Sequence, residues 1–433
     1  MLRFALVCAL LSTHALAALA QGPVVGDVEG GEFRPFPLAV AATRLGDGAA
    51  GKNAQADQLA TVIRNDLDMS GAFQLLDKKG FIDTDGLDTA EVRFDDWRNV
   101  SAQGLVKTRL GVSGADIVVD VWAYDVGSQK QVLKKQVKLP AADVRAAGHQ
   151  IADDVFRAFT GEPGVFRTRL AVVKKVQGEK HVFVMDIDGE GVRQVTKGGS
   201  LNLLPSWAPD GRSLLFTSYR YENPDLFEIG VNGGEVKPIS RRPGLNTGGR
   251  FSPDGSKIAV TLSQDGNSEI YILARNGDVL KRLTNQWGID TSPSWSPDGT
   301  QIAFVSSRSG HPDLYIVDAG GAGQPRRITF QGTYNQTPAW SPRGTHIAFT
   351  ARDERNVFDI FVLNVKTNEI KRVTQGMGNN EEPSFSPNGR LLVFTTTRNK
   401  ARQLVVSNID GTKQTVLPSL GDHTSPQWGP FVR

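Results

Sequence analysis

Cysteine is all but missing from these 433 residues: Cys8 is the only one, so no disulfide framework can hold the fold and its stability must come from apolar cores and sheet ladders. A surplus of charge is missing too. Lys and Arg total 49 against 46 Asp and Glu, a formal net charge of +3, and no long Lys/Arg run supplies the concentrated basic face that nucleic acid demands. Beyond residue 20 no apolar run is long enough to cross a bilayer, which excludes direct membrane insertion of the main body. Catalytic signatures are likewise lacking. There is no Gly-x-Ser-x-Gly elbow, and the nearest approach, Gly111-Val112-Ser113-Gly114, has the wrong spacing. His149, His181, His311, His346 and His423 are scattered without paired metal-ligand spacing and read as surface or packing residues. Asp83-Thr84-Asp85-Gly86 hints at a calcium loop, but alignment on Gly86 puts Phe81 and Val92 at ligand positions. No glycine-rich phosphate loop is present. The expectation is a protein that is not an enzyme and carries neither cofactor nor metal.

The first positive feature is a leader. Met1-Leu2-Arg3 precedes an Ala/Leu/Val run ending in Ala18-Leu19-Ala20, the layout of a secretory signal cleaved after residue 20. Residues 21–33 follow, glycine-rich, with Val24, Val25 and Val28 among few apolar positions. Such a segment is either a frayed terminus or a strand that adds to a partner's sheet edge.

Internal repetition decides the fold class. Trp207, Phe251, Trp295, Trp340, Phe385 and Trp428 recur at 43–45 residue intervals, and the first five lead into variants of one turn, Ser296-Pro297-Asp298-Gly299 being typical. Proline fixes φ at the second turn position, Asp or Asn suits the third, and Gly takes the last. Alternating apolar runs follow, such as Gln301–Ser306 and Asp313–Val317, with a shorter run at Arg326–Thr329. Four short strands in each period of this length make a propeller blade. Between Leu170 and Thr196 only three strands are legible, while Ser425-Pro426-Gln427-Trp428 supplies an anchor strand with nothing after it. The two fragments complement each other, so the expectation is a six-bladed ring over 165–433, closed by the C-terminal strand and free of open edges.

Residues 34–163 lack the repeat and read as a small α/β domain. Phe36–Val40 and Phe73–Leu76 look like strands, and Ala56, Leu59, Ala60, Ile63 and Leu67 mark one face of a helix closed by Gly71. Asp116–Tyr124 and Gln131–Leu139 form a hairpin pattern around Gly127, and Pro140 is read as opening a final helix that carries Val144, Ile151, Val155 and Phe159 inward. The fold class is thus an α/β N-terminal domain followed by an all-β six-bladed β-propeller, expected to be a monomer. The residues just ahead of each anchor are read as loops converging on one mouth of the channel: Leu203-Leu204, Asn246-Thr247, Asp290-Thr291-Ser292, Asn335-Gln336-Thr337, Asn380-Glu381-Glu382 and Asp422-His423-Thr424. All but the first are polar, and several polar loops at one funnel suggest a binding face. An exported propeller hydrolase or sugar-binding protein is the alternative.

Arg34-Pro35-Phe36-Pro37-Leu38-Ala39-Val40, Leu67-Asp68-Met69-Ser70-Gly71-Ala72-Phe73 and the junction Arg157–Gly164 leading into Phe166-Arg167-Thr168-Arg169, with the repeats after them, make the chain resemble the TolB family, periplasmic propeller proteins of the Tol-Pal cell-envelope system. The resemblance implies a non-enzymatic periplasmic component that supports outer-membrane integrity and constriction at cell division. It implies that the propeller mouth binds the peptidoglycan-associated lipoprotein Pal, and that the N-terminal segment engages TolA through Val24, Val25, Asp27 and Val28, coupled to Pal occupancy. Transferred to this chain, the Pal site includes Leu245, Gly248, Thr291 and Ser292, extended by the mouth positions Asn246, Asp290, Asn335, Gln336, Asn380, Glu381 and His423. The chain departs from the family pattern at two of these, since Leu245 is not histidine and Ser292 is not glutamate.

Overall fold

The computed structural model describes residues 34–198, 201–352, 354–418 and 421–431. The expected signal segment and the 21–33 segment, with Val24, Val25, Asp27 and Val28, lie outside the described residues.

The N-terminal domain is built on one mixed sheet. Strand β1 (Phe36–Val40) runs parallel to both β3 (Phe73–Leu75) and β4 (Gly104–Ser113). The short β2 (Arg44–Leu45) lies beside β4, and β5 (Asp116–Asp125) and β6 (Lys130–Pro140) extend the sheet antiparallel. Alternation along β1 sends Leu38 and Val40 to one core and Ala39 to the other. Helices α1 (Asn53–Met69) and α3 (Val144–Thr160) cover the first face. On α1, Ala56, Leu59, Ile63 and Leu67 are buried as their spacing requires, whereas Ala60 stays half-buried. The two helices pack tightly at Gly148, where an added Cβ would lie 2.7 Å from a Val62 methyl. The short α2 (Phe94–Asn99) and the preceding segment cover the second face, around Trp97, Trp122 and Tyr124.

One expectation needs correction, and one strand was not expected at all. Pro140 ends β6 rather than opening a helix, because α3 begins only at Val144. The strand β4, hidden by its charges, is central. Its Lys107 is 1 % exposed, yet it spends its ammonium on Asp83 (2.9 Å), Asp85 (2.5 Å) and the Gly86 carbonyl (2.9 Å). A buried cation with three acceptors is tolerated where an unpaired one is not. The Asp83–Gly86 segment is therefore the clamp for this lysine.

Six four-stranded antiparallel sheets complete the chain. Blade 1 takes its inner strand, His423–Trp428, from the C-terminus and its other three from Arg169–Val176, Glu179–Asp186 and Arg193–Gln194. Blades 2 to 6 follow in order, with inner strands Asn202–Trp207, Asn246–Phe251, Asp290–Trp295, Asn335–Trp340 and Asn380–Phe385. The repeating turn explains its own composition: Ser252 Oγ accepts from Lys257 N (2.9 Å) and donates to Asp254 Oδ1 (2.5 Å), while Gly255 closes the turn at φ +72°.

Every inner strand enters at one face of the ring and ends in a turn at the other, so the two faces have separate roles. The N-terminal domain sits on the turn face of blades 5, 6 and 1. Glu162 reaches Arg343 (2.5 Å) and Arg390 (2.5 and 2.9 Å), Asn388 Nδ2 donates to the Pro163 carbonyl, and Lys413 meets Asp68 (2.6 Å). Arg145 reaches Asp188 (2.7 Å) in the turn between the third and outermost strands of blade 1. Phe156, Val165 and Phe166 share one apolar cluster with Leu170, Leu391 and Trp428, so the domains have a common core. The opposite face, the mouth, is left open.

A candidate binding site at the propeller mouth

Each inner strand carries a bulge, a shift in register between its second and fifth residues. The third residue of every strand is left-handed: Leu204 (φ +50°), Gly248 (+67°), Ser292 (+57°), Thr337 (+51°), Glu382 (+60°) and Ser425 (+51°). Only one of the six is glycine, so the conformation is imposed on residues that disfavour it and the ladders must hold it. The consequence is functional. These six residues line one central cavity of about 190 Å³, together with a deeper layer that includes Arg250, Ser294, Ala339, Ser384 and Gln427.

The sequence reading of this region as loops is therefore corrected, since the residues belong to paired strands. Their side chains divide by position. Asn246, Asp290, Asn335, Asn380 and His423 open their strands and are at most 2 % exposed. Asn246 accepts from Ser240 Oγ (2.5 Å) and donates to the Arg242 carbonyl (2.7 Å). Asn335 and Asn380 donate to Asp313 (3.1 Å) and Asp359 (3.0 Å), each in the preceding blade. Asp290 accepts from Arg308 Nη2 (2.8 Å), and burial still pushes its carboxyl above the usual range. His423 Nδ1 donates to the Gly421 carbonyl (2.9 Å), and burial holds its imidazole below its ordinary value, hence neutral at pH 7. Asn246, Asn335 and Asn380 thus tie neighbouring blades together, whereas the bonds of Asp290 to Arg308 and of His423 to Gly421 are local.

In blades 3 to 6 and blade 1 the next position of the inner strand, Thr247, Thr291, Gln336, Glu381 and Thr424, is half-buried, and Gly248 and Ser292, which follow two of them, line the cavity. Burial pushes the Glu381 carboxyl up, and the neighbouring Glu382 adds to it. Leu245 stands outside at the rim, 38 % exposed.

That rim is the feature missed in the sequence. Trp287 (75 % exposed), Ile289, Phe330 (69 %) and Met377 all precede inner strands, as Leu245 does, and so project at the mouth. Tyr221, in the hairpin between the second and third strands of blade 2, lies on the same face beneath the Arg241 guanidinium (4.1 Å to the ring centre). Large apolar side chains ringing a cavity of mixed polarity are the composition of a protein-binding patch. The available signal was the apolar residue between each outer strand and the next inner one, masked by polar neighbours.

The cavity is suited to binding more than to bond-making. Ser294 Oγ and Ser384 Oγ accept from the Trp340 and Trp428 amides of the following inner strands (2.9 and 3.0 Å). Glu382 accepts from Ser425 N (2.6 Å), Ser425 Oγ (2.9 Å) and Thr395 Oγ1 (3.2 Å). These hydroxyls and this carboxylate hold the ring together instead of activating one another.

Comparison with known proteins agrees with this architecture. The TolB beta propeller domain pattern matches residues 156–432 and the TolB amino-terminal domain pattern residues 26–132. The Tol-Pal system protein TolB of Anaeromyxobacter dehalogenans (strain 2CP-1 / ATCC BAA-258) is 43 % identical over 221 residues, 51 % of this chain and 50 % of that protein. That of Myxococcus xanthus (strain DK1622) is 43 % identical over 223 residues, 51 % of each. The matched chain spans about half the length of these curated relatives. The crystal structure of TolB from Acinetobacter baumannii superposes over 95 % of this chain and 98 % of that one, at a TM-score of 0.82 and 28 % identity. With its propeller, its amino-terminal domain and their order all matched, the chain belongs to the TolB family.

Proposed function

We propose that this protein is a periplasmic, non-enzymatic component of the Tol-Pal system that binds the lipoprotein Pal at the propeller mouth and TolA through residues 21–33. In this role it maintains outer-membrane integrity and supports constriction at division. The observation that carries the Pal assignment is the mouth itself, a cavity of mixed polarity encircled by Leu245, Trp287, Ile289, Phe330 and Met377 on the face turned away from the N-terminal domain. The half-buried Thr291, Gln336 and Glu381, with Gly248 and Ser292, lie inside that circle. Asn246, Asp290, Asn335, Asn380 and His423, buried and bonded inward, would serve this site by shaping the mouth. Among the described residues no helix is long and apolar enough to cross a membrane.

Calorimetric titration of the protein with the globular part of Pal tests the reading. Aromatic anchors at the centre of an interface typically account for about 2 kcal/mol or more each, so Phe330→Ala or Trp287→Ala should weaken binding at least tenfold. Lys237→Ala, on an outer strand, should leave it unchanged. Absence of association, or equal affinity for all three variants, would refute Pal binding at this face.

A further inference from the structure

The deeper layer of the cavity holds a cation with unspent donors. Arg250 leaves the inner strand of blade 3, where other blades place serine, alanine or glutamine, and reaches across the channel. Its Nη1 donates to the Pro205 carbonyl (3.2 Å) and to Gln427 Oε1 of blade 1 (2.8 Å). Those two bonds use both Nη1 hydrogens and fix the plane of the group. A guanidinium has five N–H donors; the remaining Nε–H and two Nη2–H bond to none of the described residues, and the residue lines the cavity. Burial in the channel pushes the guanidinium down to about 10, against the pull of Glu382, so it stays charged at neutral pH. Glu382, in the ring above, attracts the guanidinium but takes none of its donors: the carboxylate accepts from Ser425 and Thr395, and Arg250 has no ion pair among the described residues. The Nε/Nη2 edge of a guanidinium presents two parallel N–H groups at the spacing of the two oxygens of a carboxylate. Ala339, in the same layer two blades away on the side opposite Gln427, leaves room for such a group.

We propose that the channel is a carboxylate-binding site, with Arg250, oriented by Gln427 and Pro205, as the residue that grips the anion side-on. This site is independent of whether Pal docks at the rim. The carboxylate has two possible sources, a small free acid or an acidic side chain of a polypeptide that enters through the mouth.

Thermal unfolding of the full chain in sodium acetate, compared with sodium chloride of equal ionic strength and with acetamide, tests the site. At about ten times the half-saturating concentration, acetate alone should raise the midpoint by about 1–2 °C. Crystals soaked in bromoacetate should show a bromine anomalous peak in the channel beside Arg250. Arg250→Gln should abolish both effects. Should that variant fail to fold, Ala339→Glu serves instead: it supplies the carboxylate internally, keeps Arg250, and should remove the response to acetate. A second arm compares a blocked Gly-Glu-Gly tripeptide with its Gly-Gln-Gly counterpart. A shift specific to the glutamate peptide assigns the site to a polypeptide side chain, and a shift with acetate only assigns it to small acids. Equal shifts with acetate, chloride and acetamide, or an acetate response that survives Arg250→Gln or Ala339→Glu, would overturn the proposal.

Discussion

Trp428 is the most exacting test of how the ring closes. It belongs to the last strand, yet its indole lies 7 % exposed in the apolar cluster that joins blades 1 and 6 to the N-terminal domain. Its Nε1 donates to Thr168 Oγ1 (2.8 Å) and its amide to Ser384 Oγ of blade 6 (3.0 Å). Substitution by alanine keeps the amide bond and removes the rest. An indole buries about 200 Å², worth about 5 kcal/mol at 25 cal/mol per Å² as an upper bound, and the Nε1 bond adds about 1 kcal/mol. Partial collapse of the cavity lowers the sum, so Trp428→Ala should cost about 3–5 kcal/mol. Trp295 occupies the equivalent position in blade 4 but is only half-buried, with Nε1 on the Arg250 carbonyl (3.0 Å), and Trp295→Ala should cost about 2 kcal/mol less. Urea denaturation followed by far-UV circular dichroism measures both, since that signal survives loss of a tryptophan. The shared core also predicts one cooperative transition for the wild-type chain. A smaller cost for Trp428→Ala than for Trp295→Ala would refute closure through this residue.

Glu162→Gln leaves Arg343 and Arg390 without their shared carboxylate at the domain junction; it should destabilise by about 1–3 kcal/mol and raise amide exchange in α3 before the propeller strands, while unchanged exchange in α3 would contradict a clamp. Burial pushes Asp66 up to about 7, and its contact with His149 Nδ1 (2.7 Å), together with Asp188, holds the imidazole above its ordinary value despite burial. Both folded values exceed the unfolded ones, so the pair favours folding fully below about pH 4 and progressively less as pH rises through 7. Asp66→Asn should flatten the decline in stability between pH 5 and 8, and an unchanged slope in paired melts would exclude this pair as its source. Gly248 and Gly249 should differ sharply on mutation to alanine. An added Cβ at Gly248 meets nothing within 4 Å and only the left-handed backbone resists it, at about 1 kcal/mol. At Gly249 it would lie 2.8 Å from both Leu226 methyls, and thermal melts should show the larger loss there.

Legibility followed periodicity. The blades were readable because each period repeats the same local chemistry, a Ser-Pro-Asp-Gly turn whose bonds stay within six residues, and because the three-stranded start and the orphan last strand fit each other. Strand β4 was not, because the lysine at its centre is buried only by virtue of Asp83 and Asp85, more than twenty residues away. The mouth was located by position, but polarity was an unreliable guide within it. Asn335 and Gln336 are adjacent and equally polar, yet one is buried and bonded to Asp313 in the neighbouring blade and the other is left half-buried. Pleat alternation separates them, and only the register tells which side is which.

The sequence by itself therefore determined the number of blades, the two-domain order and the residue types at the mouth, since each blade is marked by turns between near neighbours in the chain and the leftover strands at the two ends of the repeat complement each other. The tertiary structure alone decided which of those residues are spent on holding blades together, which face the N-terminal domain covers, and that Arg250 reaches from blade 3 to Gln427. Those outcomes depend on contacts between residues from 22 to 345 positions apart, where no local pattern records who the partner will be.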